Sequence, residues 1–116
     1  MRKLTLFFND ACSKCRATIA LVEKSGHPFE IVEYLKTPPS AETLKSLGLS
    51  PDRIARKGEP RFRELGLDTN PPVSEDGWWK ILSENPILIE RPILWDGKRA
   101  VIGRPPENVL PLLEER

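Results

Sequence analysis

The hydrophobic pattern of the first 35 residues predicts a strand, a helix and a second strand. Residues 3–8 form a short apolar run of β-favouring side chains, which is typical of a buried strand. From Ser13 to Ser25 apolar residues recur along one helical stripe, and Gly26 follows as a stop signal. Phe29 to Leu35 is predicted as the second strand. Such a unit requires parallel strands and a right-handed crossover.

A series of short helices is predicted next, because brief apolar stretches alternate with proline, glycine and capping residues. Ser40 is a good N-cap for a helix over residues 41–47. Three more helical segments are predicted at residues 51–56, 61–65 and 78–84. We expect them to form a helical insertion at about residues 40–86.

The last part of the chain predicts a β-hairpin and a final helix. Ile93–Trp95 and Ala100–Ile102 flank an Asp-Gly pair, which is a strong hairpin signal. The final helix is predicted from Asn108 to Glu115. The element order fits an α/β, three-layer, thioredoxin-like fold with a mixed four-stranded sheet in the order 2-1-3-4. We expect a single domain over residues 1–116.

The length and charge of the chain restrict the classes of function. At 116 residues it has the size of one domain. It carries 18 Lys and Arg against 17 Asp and Glu, so general attraction to nucleic acid or membrane is not expected. No apolar run approaches the roughly 20 residues of a spanning helix. We therefore expect a cytoplasmic protein with no direct nucleic-acid or membrane partner.

The cysteine and histidine content argues against a structural metal. The chain has two cysteines, Cys12 and Cys15, and one histidine, His27. This is too few for a disulfide scaffold or a four-ligand zinc site, so no metal is expected. His27 is predicted to lie in an exposed turn.

Cys12 is predicted to be a reactive thiol. It follows a strand and directly precedes a helix, where unpaired amides and the helix dipole favour an anion and lower a thiol pKa. Lys14 and Arg16 add positive charge, and Asn9 is expected to support the loop by hydrogen bonding. The alternative is that both cysteines are small apolar residues under the helix.

Cys15 has two interpretations that the spacing leaves open. Its side chain falls one turn after Cys12 on nearly the same helical face, within reach of a disulfide. It is therefore a candidate resolving thiol. It is equally compatible with a buried thiol in the core.

Three arginines, Arg56, Arg91 and Arg104, come from separate regions of the chain. A planar, permanently charged guanidinium suits a tetrahedral oxyanion. Their spacing alone, however, favours ordinary solvated surface charges.

Several motifs resemble the arsenate reductase family of the glutaredoxin-coupled type, within the thioredoxin-like superfamily. The matching stretches follow the family's order over nearly the whole chain: Phe8–Arg16, Tyr34–Ser40, Ile54–Lys57, Phe62–Leu67, Asn85–Ile93 and Ile102–Pro105. The stretch Asn-Pro-Ile-Leu-Ile-Glu-Arg-Pro-Ile is quite specific. It fixes Arg91 beside Pro92, and the resemblance implies that Pro92 is cis.

The resemblance implies roles for four residues. Cys12 matches the family's nucleophile, and Arg56, Arg91 and Arg104 match the arginines that hold the oxyanion and activate the thiol. The implied reaction is attack of the Cys12 thiolate on arsenate, followed by glutathione attack, release of arsenite and recycling by glutaredoxin. A monomer with no bound cofactor and with glutathione as co-substrate is expected.

The sequence departs from the family pattern at three positions. Phe8 replaces a histidine of the best-known members, and Asp10 replaces a common proline. Cys15 creates a Cys-x-x-Cys pair that resembles Spx-like regulators, which use the pair as a redox switch and bind RNA polymerase. Two alternatives therefore stand beside the reductase: a thiol–disulfide oxidoreductase using Cys12 and Cys15, and an Spx-like redox-sensing transcriptional regulator. The retained Arg104 favours the reductase.

Overall fold

The computed structural model describes residues 3–9 and 13–114. The chain forms two compact units. The first unit consists of Met1–Thr37 together with Arg91–Arg116, and the second is Pro38–Glu90. The second unit contains the predicted series of short helices.

The first unit is built on a four-stranded mixed sheet. Its strands are β1 (Leu4–Phe8), β2 (Phe29–Glu33), β3 (Ile93–Trp95) and β4 (Ala100–Ile102), in the order β2-β1-β3-β4. β1 is parallel to β2 and antiparallel to β3, which is antiparallel to β4. The predicted strand order is confirmed.

The second strand is shorter than its apolar pattern predicts. The carbonyl of Glu33 accepts hydrogen bonds from the backbone amides of Lys36 and Thr37, both at 2.9 Å. These bonds close a turn, so β2 ends at Glu33 although Leu35 follows. Tyr34, just after the strand, is completely buried.

Two helical segments pack on one face of this sheet. Helix α1 (Ser13–Ser25) connects β1 to β2 and has the predicted bounds. The chain after β4 forms a 3-10 helix at Pro106–Val109 and then α6 (Leu110–Glu114), so the predicted final helix begins earlier and in a tighter form. The core of this layer contains Leu4, Leu6, Val22, Leu94, Val109, Leu112 and Leu113.

His27 does not lie exposed in its turn, and that prediction was wrong. Its side chain is half-buried, and Nε2 lies 2.7 Å from the carbonyl oxygen of Leu113 in α6. Because a carbonyl oxygen only accepts, Nε2 donates this bond. His27 therefore ties the end of α1 to the last helix.

The second unit contains four short helices and one 3-10 turn. They are α2 (Ala41–Ser46), α3 (Pro51–Ile54), α4 (Pro60–Glu64), α5 (Glu75–Glu84) and the 3-10 helix Pro86–Leu88. Ser40 and Ser74 cap α2 and α5 by accepting from backbone amides three residues later, at 3.1 and 3.2 Å. A bridge between Ala55 and Ile89 joins the two ends of the unit.

The adjacent tryptophans of α5 face different surroundings. Trp79 is 2% exposed, whereas Trp78 is half-buried and stacks on Phe62 of α4 with ring centroids 6.2 Å apart.

Among the described residues, every helix is too short or too polar to cross a membrane.

Candidate functional site

The register of the β3–β4 hairpin brings two of the predicted arginines to one end of the sheet. Ile93 at the start of β3 pairs with Ile102 at the end of β4. Arg91 precedes this pair by two residues, and Arg104 follows it by two residues. Two arginines distant in sequence therefore leave the sheet at the same end.

The junction between β1 and α1 lies at this same end. Phe7 of β1 pairs with Ile93, so β1 ends where β3 begins. Asn9 comes two residues after Phe7 and is half-buried. Cys12, the predicted nucleophile, lies outside the described residues. Its place at this junction stays a prediction from the sequence.

Helix α1 begins directly after Cys12, and its first turn contains no acidic residue. The first backbone amides of a helix have no partner within the helix and favour an anion. Lys14 belongs to this turn, but its side chain is outside what the structure describes. The start of α1 therefore has the backbone electrostatics expected beside a thiolate.

Cys15 belongs to the buried stripe of α1. Its side chain is 0% exposed, as are Thr18 and Val22 further along the same stripe. The burial fits a core thiol. Because Cys12 is not described, the resolving role of Cys15 is not tested by this geometry.

Both sheet-end arginines precede cis prolines. The Arg91–Pro92 bond is cis, which confirms the expectation, and the Arg104–Pro105 bond is also cis, which the sequence analysis did not anticipate. Both side chains are half-buried. Within residues 3–9 and 13–114, the guanidinium of Arg104 forms no hydrogen bond or ion pair.

Gly103 is a site residue that the sequence analysis missed. A Cβ there would lie 2.9 Å from Thr18 Oγ1, 3.0 Å from Pro92 Cγ and 3.4 Å from Val109 Cγ1. Its amide also donates to the Pro92 carbonyl at 2.8 Å. A glycine next to Arg104 is therefore required by close packing. The sequence signal for this role was the position of Gly103 directly after the apolar strand Ala100–Ile102.

Arg56 lies in the second unit, where two carboxylates hold it. Its Nε is 3.2 Å from Oε1 of Glu59, and its Nη1 is 3.1 Å from Oε1 of Glu90. Neither glutamate is among the site residues predicted from the sequence. The sequence signals for these contacts were the position of Glu59, three residues after Arg56, and the position of Glu90, immediately before Arg91.

The second unit also contains a cleft of about 740 Å³ with aromatic and proline walls. Its charged lining residues are Asp52, Glu59, Asp68, Lys57 and Arg63. Three acidic and two basic side chains line the cleft, and Lys57 is paired with Asp52. The cleft therefore lacks the net positive charge that would attract an oxyanion.

No cluster of three or more His, Cys, Asp or Glu side chains that could hold a metal ion occurs in the described part of the chain.

Comparison with known proteins identifies the family of the chain. The ArsC family model matches residues 7–112. The chain is 40% identical over 114 residues to an arsenate reductase of Neisseria meningitidis serogroup A, covering 94% of this chain and 97% of the relative. It is also 40% identical over 113 residues to an arsenate reductase of Haemophilus influenzae, covering 93% and 97%.

The solved structures support the fold. An arsenate reductase from Vibrio cholerae superposes with a TM-score of 0.86 at 38% identity, covering 95% of this chain and 97% of that chain. This similarity, with the observed strand order, confirms the predicted thioredoxin-like fold. From the match over residues 7–112 and the near full-length relatives at 40% identity, the chain belongs to the ArsC family of oxidoreductases.

Proposed function

We propose that this protein is an arsenate reductase in which Cys12 is the nucleophile. The Cys12 thiolate attacks arsenic, a sulfur–arsenic bond forms, and one arsenate oxygen leaves as water. Glutathione then attacks the adduct, and arsenic accepts two electrons and leaves as arsenite. The cysteine and glutathione sulfurs supply these electrons and become oxidised to a disulfide, which glutaredoxin reduces.

The observation that carries this proposal is the shared position of Arg91 and Arg104. Both leave the hairpin beside the Ile93–Ile102 pair, at the end of the sheet where β1 gives way to the cysteine loop. Guanidinium groups there neutralise an oxyanion that would otherwise repel a thiolate, and they stabilise the charge of the transition state. Arg56 is proposed as the third oxyanion ligand on the basis of the family pattern.

The remaining roles are part of the same proposal. Asn9 and Lys14 support the cysteine loop, and glutathione and glutaredoxin supply the reducing equivalents. We place the protein in the cytoplasm, where glutathione keeps thiols reduced, and we propose that it acts as a monomer. Cys15 is a candidate resolving thiol, and a buried core role is the alternative that its complete burial favours.

Arsenate-dependent oxidation of NADPH, coupled through glutathione, glutaredoxin and glutathione reductase, tests this proposal. We expect turnover in the wild type and in Cys15→Ser, and none in Cys12→Ser. Turnover lost in Cys15→Ser would make Cys15 a resolving thiol. An inactive wild type, or an active Cys12→Ser, would contradict the proposal and favour the thiol–disulfide or regulatory alternative.

A further inference from the structure

The guanidinium of Arg56 is shared by two carboxylates in a partly buried cluster. Glu59 contacts Nε and Glu90 contacts Nη1, at 3.2 and 3.1 Å. The side chains of Arg56, Glu59 and Glu90 are 20%, 20% and 25% exposed. For comparison, the Arg61–Glu64 pair of the same unit has one carboxylate and exposures of 47% and 60%. Solvent therefore screens the Arg56 cluster less than an ordinary surface pair.

The backbone holds both carboxylates in place around Arg56. The amide of Arg56 donates to the Leu88 carbonyl, and the amide of Glu90 donates to the Ile54 carbonyl, both at 2.7 Å. The amide of Glu59 donates to the Arg56 carbonyl at 3.3 Å, and Glu59 is the N-cap residue of α4. Each glutamate thus starts from a segment that main-chain bonds tie to the arginine segment.

The two glutamates contact Nε and Nη1 of the guanidinium but not Nη2. Of the five N–H donors of an arginine, Nε uses one and Nη1 uses one in these contacts. Nη2 makes no hydrogen bond within the described parts of the chain. Among these residues, Glu59 and Glu90 therefore leave both Nη2 donors unused.

The charge of the cluster has a consequence for anion binding. Arg56 contributes one positive charge, whereas Glu59 and Glu90 contribute two negative charges. A single carboxylate is sufficient to neutralise one guanidinium, so the second lowers the positive potential that Arg56 offers to an oxyanion.

We propose that Glu59 and Glu90 are positioning residues for Arg56, which fix the orientation of its guanidinium and weaken its attraction for anions. The inference rests on the proposed function, because it takes Arg56 as an oxyanion ligand. It assigns two functions to the glutamates: their oxygens hold the guanidinium, and their charges keep oxyanion binding from becoming too tight.

Glutamine and alanine substitutions separate these two functions. Glu59→Gln and Glu90→Gln keep an accepting oxygen but remove the charge. We expect each to retain kcat and to lower the KM for arsenate about three- to tenfold. Glu59→Ala and Glu90→Ala also remove the acceptor, so Arg56 loses its orientation and kcat falls about tenfold. Glu64→Gln and Glu64→Ala are the matched controls and leave both parameters unchanged.

Two measurements that need no turnover complete the test. Arsenate affinity is measured by calorimetry in a Cys12→Ser background, where the Gln variants should bind three- to tenfold more tightly. The hydrogen exchange of the Arg56 Nε–H group, followed by NMR, should be slow in the wild type and in Glu59→Gln, and fast in Glu59→Ala. Circular dichroism verifies that each variant folds.

The results distinguish failure of the inference from failure of the proposed function. If the wild type reduces arsenate but the Gln and Ala variants match it in kcat, KM and affinity, the inference is overturned and the function stands. If the wild type does not reduce arsenate, the proposed function fails. In that case the NMR measurement still tests the positioning role. Equal Nε–H exchange rates in the wild type and in Glu59→Ala overturn that role, and faster exchange in Glu59→Ala supports it.

Discussion

Replacing Gly103 with alanine adds one methyl group at a point where three buried neighbours leave no room for it. The new Cβ would lie 2.9 Å from Thr18 Oγ1, 3.0 Å from Pro92 Cγ and 3.4 Å from Val109 Cγ1. Thr18 and Val109 are 0% exposed. Neither neighbour can swing into solvent, so the strand end must move away from α1.

The size of the effect follows from the costs of overpacking. Forcing an extra methyl group into a well-packed core costs about 1–3 kcal/mol of unfolding free energy. For a chain of this size, that lowers Tm by roughly 4–12 °C. Because Arg104 is the next residue, a displaced strand end also moves its guanidinium, and we expect kcat for arsenate to fall about tenfold.

Urea denaturation of the wild type, Gly103→Ala and Gly58→Ala measures this effect. Gly58 is the matched control, because a Cβ there has nothing within 4 Å and its φ is not positive. Gly58→Ala should be neutral or stabilise by about 0.4–1 kcal/mol through the unfolded state. The midpoint of Gly103→Ala should fall with an unchanged m-value. Equal midpoints for Gly103→Ala and the wild type would refute the packing argument.

Three further substitutions test other contacts. Arg104→Ala should lower kcat/KM for arsenate about 100-fold in the coupled assay, whereas Arg63→Ala, at an exposed site, should leave it unchanged; equal losses would contradict an oxyanion role. His27→Ala leaves the Leu113 carbonyl without its donor and should cost about 1–3 kcal/mol in urea denaturation, and an unaltered midpoint would show that the contact is unimportant. Ser74→Ala removes the cap of α5 and should cost about 1 kcal/mol by the same measurement, with no change in activity.

Local signals were sufficient for most of the secondary structure. The Asp-Gly hairpin is formed as predicted, because the carboxylate of Asp96 accepts from the amides of Lys98 and Arg99, both at 2.8 Å, and Gly97 has φ 97°. The same holds for Ser40, which caps α2 from three residues away. These interactions join close neighbours, so their residue types alone indicate them.

The predictions failed where distant parts of the chain meet. His27 bonds to a carbonyl 86 residues away, and Arg56 to a carboxylate 34 residues away. The early end of β2 has a different, local cause: a turn after Glu33 that hydrophobicity does not reveal. Residue types alone do not fix the two long-range contacts, because each depends on which segments the fold brings together.

The sequence by itself determined the order of elements, the reactive character expected of Cys12 and, through its motifs, the family and the three arginines. Only the tertiary structure decided that Arg91 and Arg104 leave one end of the sheet, that Arg56 is held by Glu59 and Glu90, and that Gly103 must lack a side chain. The physical reason is that strand register, ion pairing and close packing depend on which distant segments approach each other. That approach is settled by the burial of the whole core rather than by any local stretch.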